Sequence, residues 1–172
     1  MPQIVHEKKK RPHLLPIIAG VLVALGVIAL VIWYWVIPGG ESVANTIARA
    51  QSEAKIESNA SVGEKVLEDR LKHTWLPGDR AQLQLADGRM YLNDFKYDPA
   101  IKMLESARQG GVDPLEVEKA LAQAYQGAGN NAKAREYYQK VVDYYASPDR
   151  KNSPDFEGQK EYYTGELELL AQ

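Results

Sequence analysis

A spacing of 34 residues recurs in the second half of the sequence. Four small, aliphatic or aromatic positions return at this distance, and the pairs are Tyr91 and Tyr125, Ala100 and Ala134, Leu104 and Tyr138, and Ala107 and Val141. Self-similarity at a fixed period of about 20–50 residues is typical of stacked repeats, in which each unit buries its apolar face against its neighbours. Within each copy, the apolar positions follow the three- and four-residue steps of a helix. The spacing therefore predicts an all-α repeat domain.

The residues at these positions resemble the tetratricopeptide repeat (TPR), a helix–turn–helix unit. The second copy matches the family better, from Leu121 through Gly129 to Val141. The first copy departs from the family at Asp87, where a large apolar residue is usual, and at Phe95, where glycine is usual. The resemblance covers about residues 79–148, and it implies one repeat over 79–110 and a second over 113–148.

Two further helical segments are expected around these repeats. Residues 41–76 are predicted to form a degenerate helix pair, because apolar residues recur at helical spacing over 41–57 and again up to Trp75. Ser61 and Glu64 have the spacing of a capping box at the start of the second of these helices. Residues 153–170 are predicted to form a capping helix, whose many charges suit the polar outer face of a stack.

Three aspartates precede predicted helices and are interpreted as N-caps rather than catalytic acids. Asp79, Asp98 and Asp113 each stand where a helix of a repeat is expected to begin, and proline follows the last two. Gly110 and Gly111 are expected to end the helix that follows Asp98. Small residues at the repeat positions are expected to let paired helices approach closely, and these positions are Gly88, Ala100, Ala122 and Ala134.

The N-terminal quarter of the sequence predicts a membrane anchor. Leu14–Ile37 is a run of 24 residues without a charge. As a helix it would reach roughly 36 Å, enough to cross a hydrocarbon core of about 30 Å. Trp33 and Trp35 lie at its far end, where amphipathic rings favour the membrane–water interface. A basic arm over 1–13 precedes this predicted transmembrane helix, and a Pro-Gly-Gly hinge over 38–40 follows it.

Charge placement sets the expected topology. Four basic residues lie within the first eleven positions, which favours a cytoplasmic N-terminus and an extracytoplasmic body at the cell (plasma) membrane. The opposite topology is the alternative. The apolar run is longer than that of a signal peptide, and no small-x-small site follows it closely, so we expect an uncleaved anchor rather than a cleaved leader. After residue 40 there are 17 basic and 22 acidic residues, which argues against a nucleic-acid partner.

The sequence offers no pattern of catalytic or metal-binding residues. Cysteine is absent, and of the three histidines His6 and His13 belong to the basic arm, while His73 stands alone at the end of a predicted helix. The sequence has neither a nucleophile elbow nor a phosphate-binding loop. We therefore expect no enzyme activity, no cofactor and no metal. Tyrosine doublets at 137–138, 144–145 and 162–163 are interpreted as one core and one rim residue each, with a peptide-binding surface as the alternative.

The TPR resemblance implies a partner-binding face. In that family, the first helix of each repeat lines a concave groove that holds a peptide or helix of a partner. Carried onto this sequence, the groove would be lined by Gln82, Leu85, Arg89, Asn93, Glu116, Lys119, Gln123 and Gln126.

Together these features predict a single-pass membrane protein that acts as a scaffold or adaptor for a protein partner at the cell envelope. The architecture is similar to ancillary, chaperone-linked subunits of bacterial secretion translocons, which pair one N-terminal span with such repeats. A structural or accessory subunit of a larger secretion, translocon or pilus assembly is the first alternative, with self-association more important than groove binding. An envelope enzyme is the second, and it would require a cleft lined by convergent polar groups.

Overall fold

The computed structural model describes residues 22–30, 41–148 and 156–171, and these residues are all-α, as predicted. Residues 22–30 are helical, and no strand occurs in the described ranges. Seven helices follow within residues 41–148 and 156–171, namely α1 (Val43–Ile56), α2 (Ala60–His73), α3 (Pro77–Asn93), α4 (Tyr97–Gln109), α5 (Pro114–Gly127), α6 (Asn131–Ala146) and α7 (Phe156–Leu169).

Part of the predicted architecture lies outside the described residues. This holds for the basic arm over 1–13, the hinge over 38–40, the first residues of the helix predicted over 153–170, and all of the span Leu14–Ile37 except residues 22–30. Within the described ranges, no helix combines the length and apolar character that crossing a membrane requires.

Residues 41–172 form one compact unit in which each helix packs on the next along the chain. Two clusters of buried apolar residues hold this unit together. The smaller cluster joins α1, α2 and α3 around Leu67, Leu83 and Met90. The larger cluster continues from α3 to α7 and includes Leu104 and Leu121. Within the described ranges, both clusters are formed by residues of this unit.

The turns within the three helix pairs α1–α2, α3–α4 and α5–α6 share one hydrogen-bond pattern. In each turn, a backbone N–H bonds to the carbonyl five residues earlier, and the preceding residue has a positive φ, as in a Schellman cap. The bonds are Asn59 N–H to Ala54 O (2.9 Å), Lys96 N–H to Tyr91 O (2.9 Å) and Asn130 N–H to Tyr125 O (2.8 Å). The positive-φ residues are Ser58 (48°), Phe95 (57°) and Gly129 (75°). The first helix pair thus closes with the same turn as the two pairs that carry the 34-residue pattern.

We expect Phe95→Gly to raise the free energy of unfolding of residues 41–172 by about 0.5–1 kcal/mol. Phe95 holds the left-handed conformation of its repeat counterpart Gly129, and its side chain is 75% exposed, so little packing is lost. Gly129→Ala is the matched control and should lower stability by about 1 kcal/mol. Urea unfolding followed by circular dichroism measures both effects. A loss of stability in Phe95→Gly would show that the edge contact of its ring with Tyr97 outweighs the backbone strain.

Small residues let the helices of a pair approach closely, as predicted. A Cβ atom added to Gly88 would lie 2.7 Å from Cγ of Leu104, well inside contact distance. The alanines at the other three such positions, Ala100, Ala122 and Ala134, have no exposed surface. α4 therefore lies against α3 at a distance that only glycine at position 88 permits.

The predicted N-cap role is confirmed at Asp113 and is wrong at Asp79 and Asp98. The Asp113 side chain accepts a hydrogen bond from the backbone N–H of Leu115 and caps α5. Asp79 and Asp98 instead lie within the first turns of α3 and α4. The helix of Asp79 begins two residues earlier, at Pro77, whose fixed φ and missing donor suit a first helical position. Gly110 ends α4, as predicted.

The predicted capping box at the start of α2 is wrong. Asn59 caps this helix, and its side-chain oxygen accepts from both the backbone N–H and the hydroxyl of Ser61. Glu64 turns away from the cap and bonds to Lys96, in the turn between α3 and α4. Trp75 was predicted to extend the apolar face of α2, but α2 ends at His73 and the Trp75 side chain is 60% exposed.

Candidate functional site

The eight residues implied by the TPR resemblance lie on the first helices of two successive helix pairs. α3 carries Gln82, Leu85, Arg89 and Asn93, and α5 carries Glu116, Lys119, Gln123 and Gln126. We refer to these eight residues as the α3–α5 face. Steps of three and four residues place side chains on one side of a helix. All eight are exposed or half-buried, so the face is available to solvent.

An ionic network joins the two halves of the α3–α5 face. The Arg89 guanidinium forms an ion pair with the Glu116 carboxylate, and Lys119 Nζ lies 3.4 Å from the other carboxylate oxygen. Partial burial raises the pKa of Glu116, but the hydrogen bond and charge of Arg89 outweigh it and the net pKa is lowered. The structure therefore brings Arg89, Glu116 and Lys119 together, with the acid held in its charged form between two cations.

Lys119 also connects this network to the C-terminal helices. Its Nζ lies 5.4 Å from the ring centroid of Tyr145 in α6 and 5.9 Å from that of Tyr163 in α7. A cation at this distance from an aromatic face is attracted by the ring quadrupole. Lys119 is thus held in place from three helices.

Gln126 is the second point at which the face is tied to the C-terminal helices. Its side-chain oxygen accepts a hydrogen bond from the Tyr138 hydroxyl at 2.6 Å, and its side-chain nitrogen donates to Glu166 at 3.0 Å. Gln126 is therefore committed to internal contacts, so its predicted role in contacting a partner has less support than that of the other polar residues.

The remaining polar side chains of the face are available for binding. Gln82, Asn93 and Gln123 are exposed, and their side chains make no hydrogen bond within the described part of the chain. An amide side chain offers both a donor and an acceptor, which suits recognition of a peptide backbone or of polar side chains. Leu85 is half-buried and packs on the larger core cluster. The face thus combines a fixed ionic centre with free amides on either side.

A buried acidic group, Asp87, lies on the side of α3 opposite this face, toward α2, and sequence reasoning did not identify it. Asp87 is fully buried, and neither of its carboxylate oxygens has a hydrogen-bond partner within the described ranges. Burial, with the nearby charges of Glu68 and Glu64, raises the pKa of Asp87 to about 7. Position 87 was visible as a departure from the TPR pattern, but the acids of α2 become its neighbours only after folding.

Each of the two neighbouring acids of α2 has a partner in or just after α3. Glu64 is 5% exposed and accepts a hydrogen bond from Lys96 Nζ at 2.9 Å. Glu68 accepts one from the Tyr91 hydroxyl at 2.7 Å. Hydrogen bonds to Asp94 and Glu64 raise the pKa of Lys96, so the lysine remains charged at neutral pH. Lys96 and Tyr91 thus bond to Glu64 and Glu68, and Asp87 has no hydrogen bond in the part of the chain that the structure describes.

The tyrosine-rich C-terminal third is mostly interior. Tyr137 and Tyr138 are both buried, so the interpretation of one core and one rim residue is wrong for this doublet. Tyr144 and Tyr145 are both half-buried, and only the 162–163 doublet divides as predicted, with Tyr162 54% exposed. The rings stack on one another across helices, as in the pairs Tyr125 with Tyr137 and Tyr145 with Tyr163. These contacts leave little of the aromatic surface for a peptide.

The geometry of a metal site is absent from the described ranges. No group of three or more histidine, aspartate or glutamate side chains there could hold a metal ion. Surface depressions occur on the outer side of α7, lined by Glu157, Lys160 and Glu161 among others, and they are shallow and highly charged. The polar α7 surface is that expected of a helix that ends a stack.

Comparison with known proteins gives no relative: the chain matches no protein-family model, and no curated protein or solved structure is significantly similar to it.

Proposed function

We propose that this protein is a membrane-anchored, TPR-like scaffold or adaptor that binds a protein partner on its α3–α5 face at the cell envelope. The observation that carries the proposal is the pairing of free amides with a fixed ionic centre on the first helices of successive repeats. Gln82, Asn93 and Gln123 are free to bond, while Arg89 and Glu116 form an ion pair between their helices. In this proposal the protein has no catalytic role and needs no cofactor.

The membrane part of the proposal comes from the sequence. The uncharged run Leu14–Ile37 would serve as a single-pass anchor, with the basic arm in the cytoplasm and the helical unit outside it. The acidic excess after residue 40 supports a protein partner rather than a nucleic acid. The anchor would confine the binding face to the membrane surface and raise its effective concentration for other envelope proteins.

Photo-crosslinking in intact cells tests the binding face. A photoreactive residue in place of Gln123 or Gln82 should give an adduct of defined mass, because both side chains are exposed on the α3–α5 face. The same substitution at Gln139, an exposed residue of α6, is the matched control and should give no such adduct. Absence of an adduct at both face positions, with recovery of the protein as a lone monomer from gently solubilised membranes, would refute the adaptor role.

An alternative role, as a structural or accessory subunit of a larger envelope assembly, is favoured by one observation. The last helix exposes Tyr162 and Leu169, which are 54% and 63% exposed and seven residues apart on α7. These two apolar side chains stand among charged ones on the last helix of the stack, where another subunit would pack. Light scattering of the detergent-solubilised chain separates the two roles, because a monomer at all concentrations excludes assembly by self-association.

A further inference from the structure

The turn between α2 and α3 exposes apolar side chains side by side. Trp75 is 60% exposed and Leu76 is 42% exposed, and Pro77, which follows them, is exposed as well. Single exposed apolar residues are common on protein surfaces, but a contiguous tryptophan and leucine in a water-exposed turn is unusual.

The structure holds this turn in a fixed conformation. The Arg80 guanidinium donates to the backbone carbonyls of Leu71 and Thr74, at 3.0 and 3.2 Å. The Thr74 hydroxyl donates to the Arg70 carbonyl at 2.8 Å. These bonds satisfy carbonyls at the end of α2 that would otherwise have no partner. Trp75 is therefore presented outward by a well-bonded turn.

The turn lies at the edge where the chain enters the helical unit. Arg70 Nη2 donates to the backbone carbonyl of Glu41 at 2.8 Å, which places the end of α2 beside the residue that precedes α1. Only residues 38–40 separate Glu41 from the last residue of the uncharged run, Ile37. An extended chain covers at most about 3.6 Å per residue, so the link from Ile37 to Glu41 reaches no more than roughly 14 Å.

Charges next to the turn suit the surface of an anionic bilayer. Residues 70–80 contain three basic residues and one acid, in a unit that is otherwise acidic. Of these, Lys72 and Arg80 are exposed, and Asp79 is the single acid. Tryptophan favours the membrane–water interface, where its ring is in apolar surroundings while its N–H stays hydrated. Basic residues are attracted to anionic headgroups within a Debye length of the surface.

We propose that the Trp75–Leu76 turn inserts into the headgroup region of the bilayer and is a second membrane contact, next to the anchor. This inference rests on the membrane anchor of the proposed function. The short link keeps the edge near the bilayer, and the inserted tryptophan fixes which edge faces it. The α3–α5 face then stands at a defined height above the membrane instead of turning freely on its hinge.

Tryptophan fluorescence of the full chain in lipid vesicles tests this contact. The sequence has three tryptophans, and Trp33→Phe with Trp35→Phe leaves Trp75 as the only one, which is excited at a wavelength that tyrosine does not absorb. In vesicles of phosphatidylcholine and phosphatidylglycerol, we expect blue-shifted emission from Trp75. When the lipids are brominated near the headgroup, we expect most of this emission to be lost.

The matched control moves the tryptophan to the other end of α3. Phe95 is 75% exposed in the turn that follows this helix, roughly 25 Å from Trp75 along its 17 residues. The variant Phe95→Trp with Trp75→Phe, in the same background, should show solvent-like emission that brominated lipid does not quench.

Flotation of the vesicles after alkaline carbonate extraction separates failure of the contact from failure of the anchor. Protein that floats while Trp75 is not quenched has its anchor and lacks the contact, which overturns the inference alone. Blue-shifted Trp75 emission without bromine quenching means that protein covers the turn, and this also overturns it. Equal quenching at positions 75 and 95 would refute a specific edge, and protein that does not float would refute both the anchor and the contact.

Discussion

Replacing Asp87 with asparagine is expected to raise the free energy of unfolding by about 3 kcal/mol at pH 8 and by about 1 kcal/mol at pH 5. Asparagine keeps the shape of the side chain and cannot ionise. The wild-type carboxyl is fully buried without a hydrogen-bond partner in the described ranges, near two other acids. A charge buried in such surroundings opposes folding, because the carboxylate loses its hydration and gains no hydrogen bond within the described ranges.

The direction of the pH dependence follows from the pKa of Asp87. Burial and the charges of Glu68 and Glu64 raise this pKa from 3.8 to about 7 in the folded protein. Below about pH 4 the carboxyl is protonated in both the folded and the unfolded chain, and it does not oppose folding. As the pH rises from about 4 to 7, only the unfolded chain releases the proton, so wild-type stability falls. Above about 7 both states are ionised, and the full loss is present.

Urea unfolding of residues 41–172 at pH 5 and pH 8 measures this effect. Wild type should lose stability between the two values, and Asp87→Asn should lose several-fold less. Asp79→Asn is the control, since it removes a carboxylate from the more accessible start of α3 and leaves the buried Asp87 in place, so the loss of stability caused by Asp87 should persist. Equal profiles for wild type and Asp87→Asn, or a less stable Asp87→Asn at pH 8, would mean that the folded protein stabilises the Asp87 carboxylate.

Asp87→Leu tests whether an apolar side chain at position 87 makes the unit more stable than the carboxyl does. The position 34 residues later holds Leu121, which is also fully buried, so the first repeat has an acid where the second has an apolar side chain. Leucine should stabilise the unit at pH 8 if the space around position 87 accepts its larger side chain. If Asp87→Asn stabilises and Asp87→Leu does not, the space is fitted to an aspartate.

The sequence predicts those parts of the fold that depend on interactions between residues close together in the chain. The 34-residue spacing and the helical periodicity gave the all-α class, and the cap at Asp113 depends only on the two residues that follow it. The predicted capping box at Ser61 does not form, for one reason that is local in sequence and one that is distant. Asn59 is a closer cap, and Glu64 has a partner, Lys96, that lies 32 residues away in sequence. Only the folded arrangement of α2 against α3 brings that pair together.

In the candidate site, too, the sequence predicts the local features and not the contacts between distant residues. Helical spacing placed the eight residues of the α3–α5 face on accessible sides of two helices, but it did not reveal which of them have internal partners. Gln126 is held by Tyr138 and Glu166, and Glu166 lies 40 residues away on a helix whose packing sequence spacing does not determine. The acidic neighbours of Asp87 could not be predicted for the same reason, since Glu64 and Glu68 lie on α2.

Tyr137 and Tyr138 of α6 were expected to divide into one core and one rim residue, but both are buried. Tyr137 reaches toward α4, where its hydroxyl donates to Glu105 at 2.7 Å and accepts from Arg108 at 2.9 Å. Tyr138 reaches toward α5 and α7, where it bonds to Gln126 and packs near Tyr163. α6 therefore has neighbours on two sides, and adjacent residues both become buried.

Replacing Tyr137 with alanine is expected to lower the free energy of unfolding by about 3–5 kcal/mol, enough to unfold a domain of marginal stability. The side chain is 2% exposed and stacks on Tyr125 with ring centroids 5.6 Å apart. Its ring also has Lys140 Nζ 4.4 Å from the centroid. Alanine would leave a cavity of ring size between α4, α5 and α6, and it would remove the contacts that these groups make with the ring.

Tyr137→Phe separates the ring from its hydroxyl, and it should cost only about 1–2 kcal/mol. Phenylalanine keeps the stacking and the volume, while Glu105 loses a donor and keeps its ion pair with Arg108 at 2.7 Å. Tyr162→Ala is the control, because that ring is 54% exposed, and it should change stability by less than about 0.5 kcal/mol. Urea unfolding of residues 41–172 ranks the three variants. A Tyr137→Ala loss no larger than that of Tyr162→Ala would mean that α6 is not packed between α4 and its C-terminal neighbours.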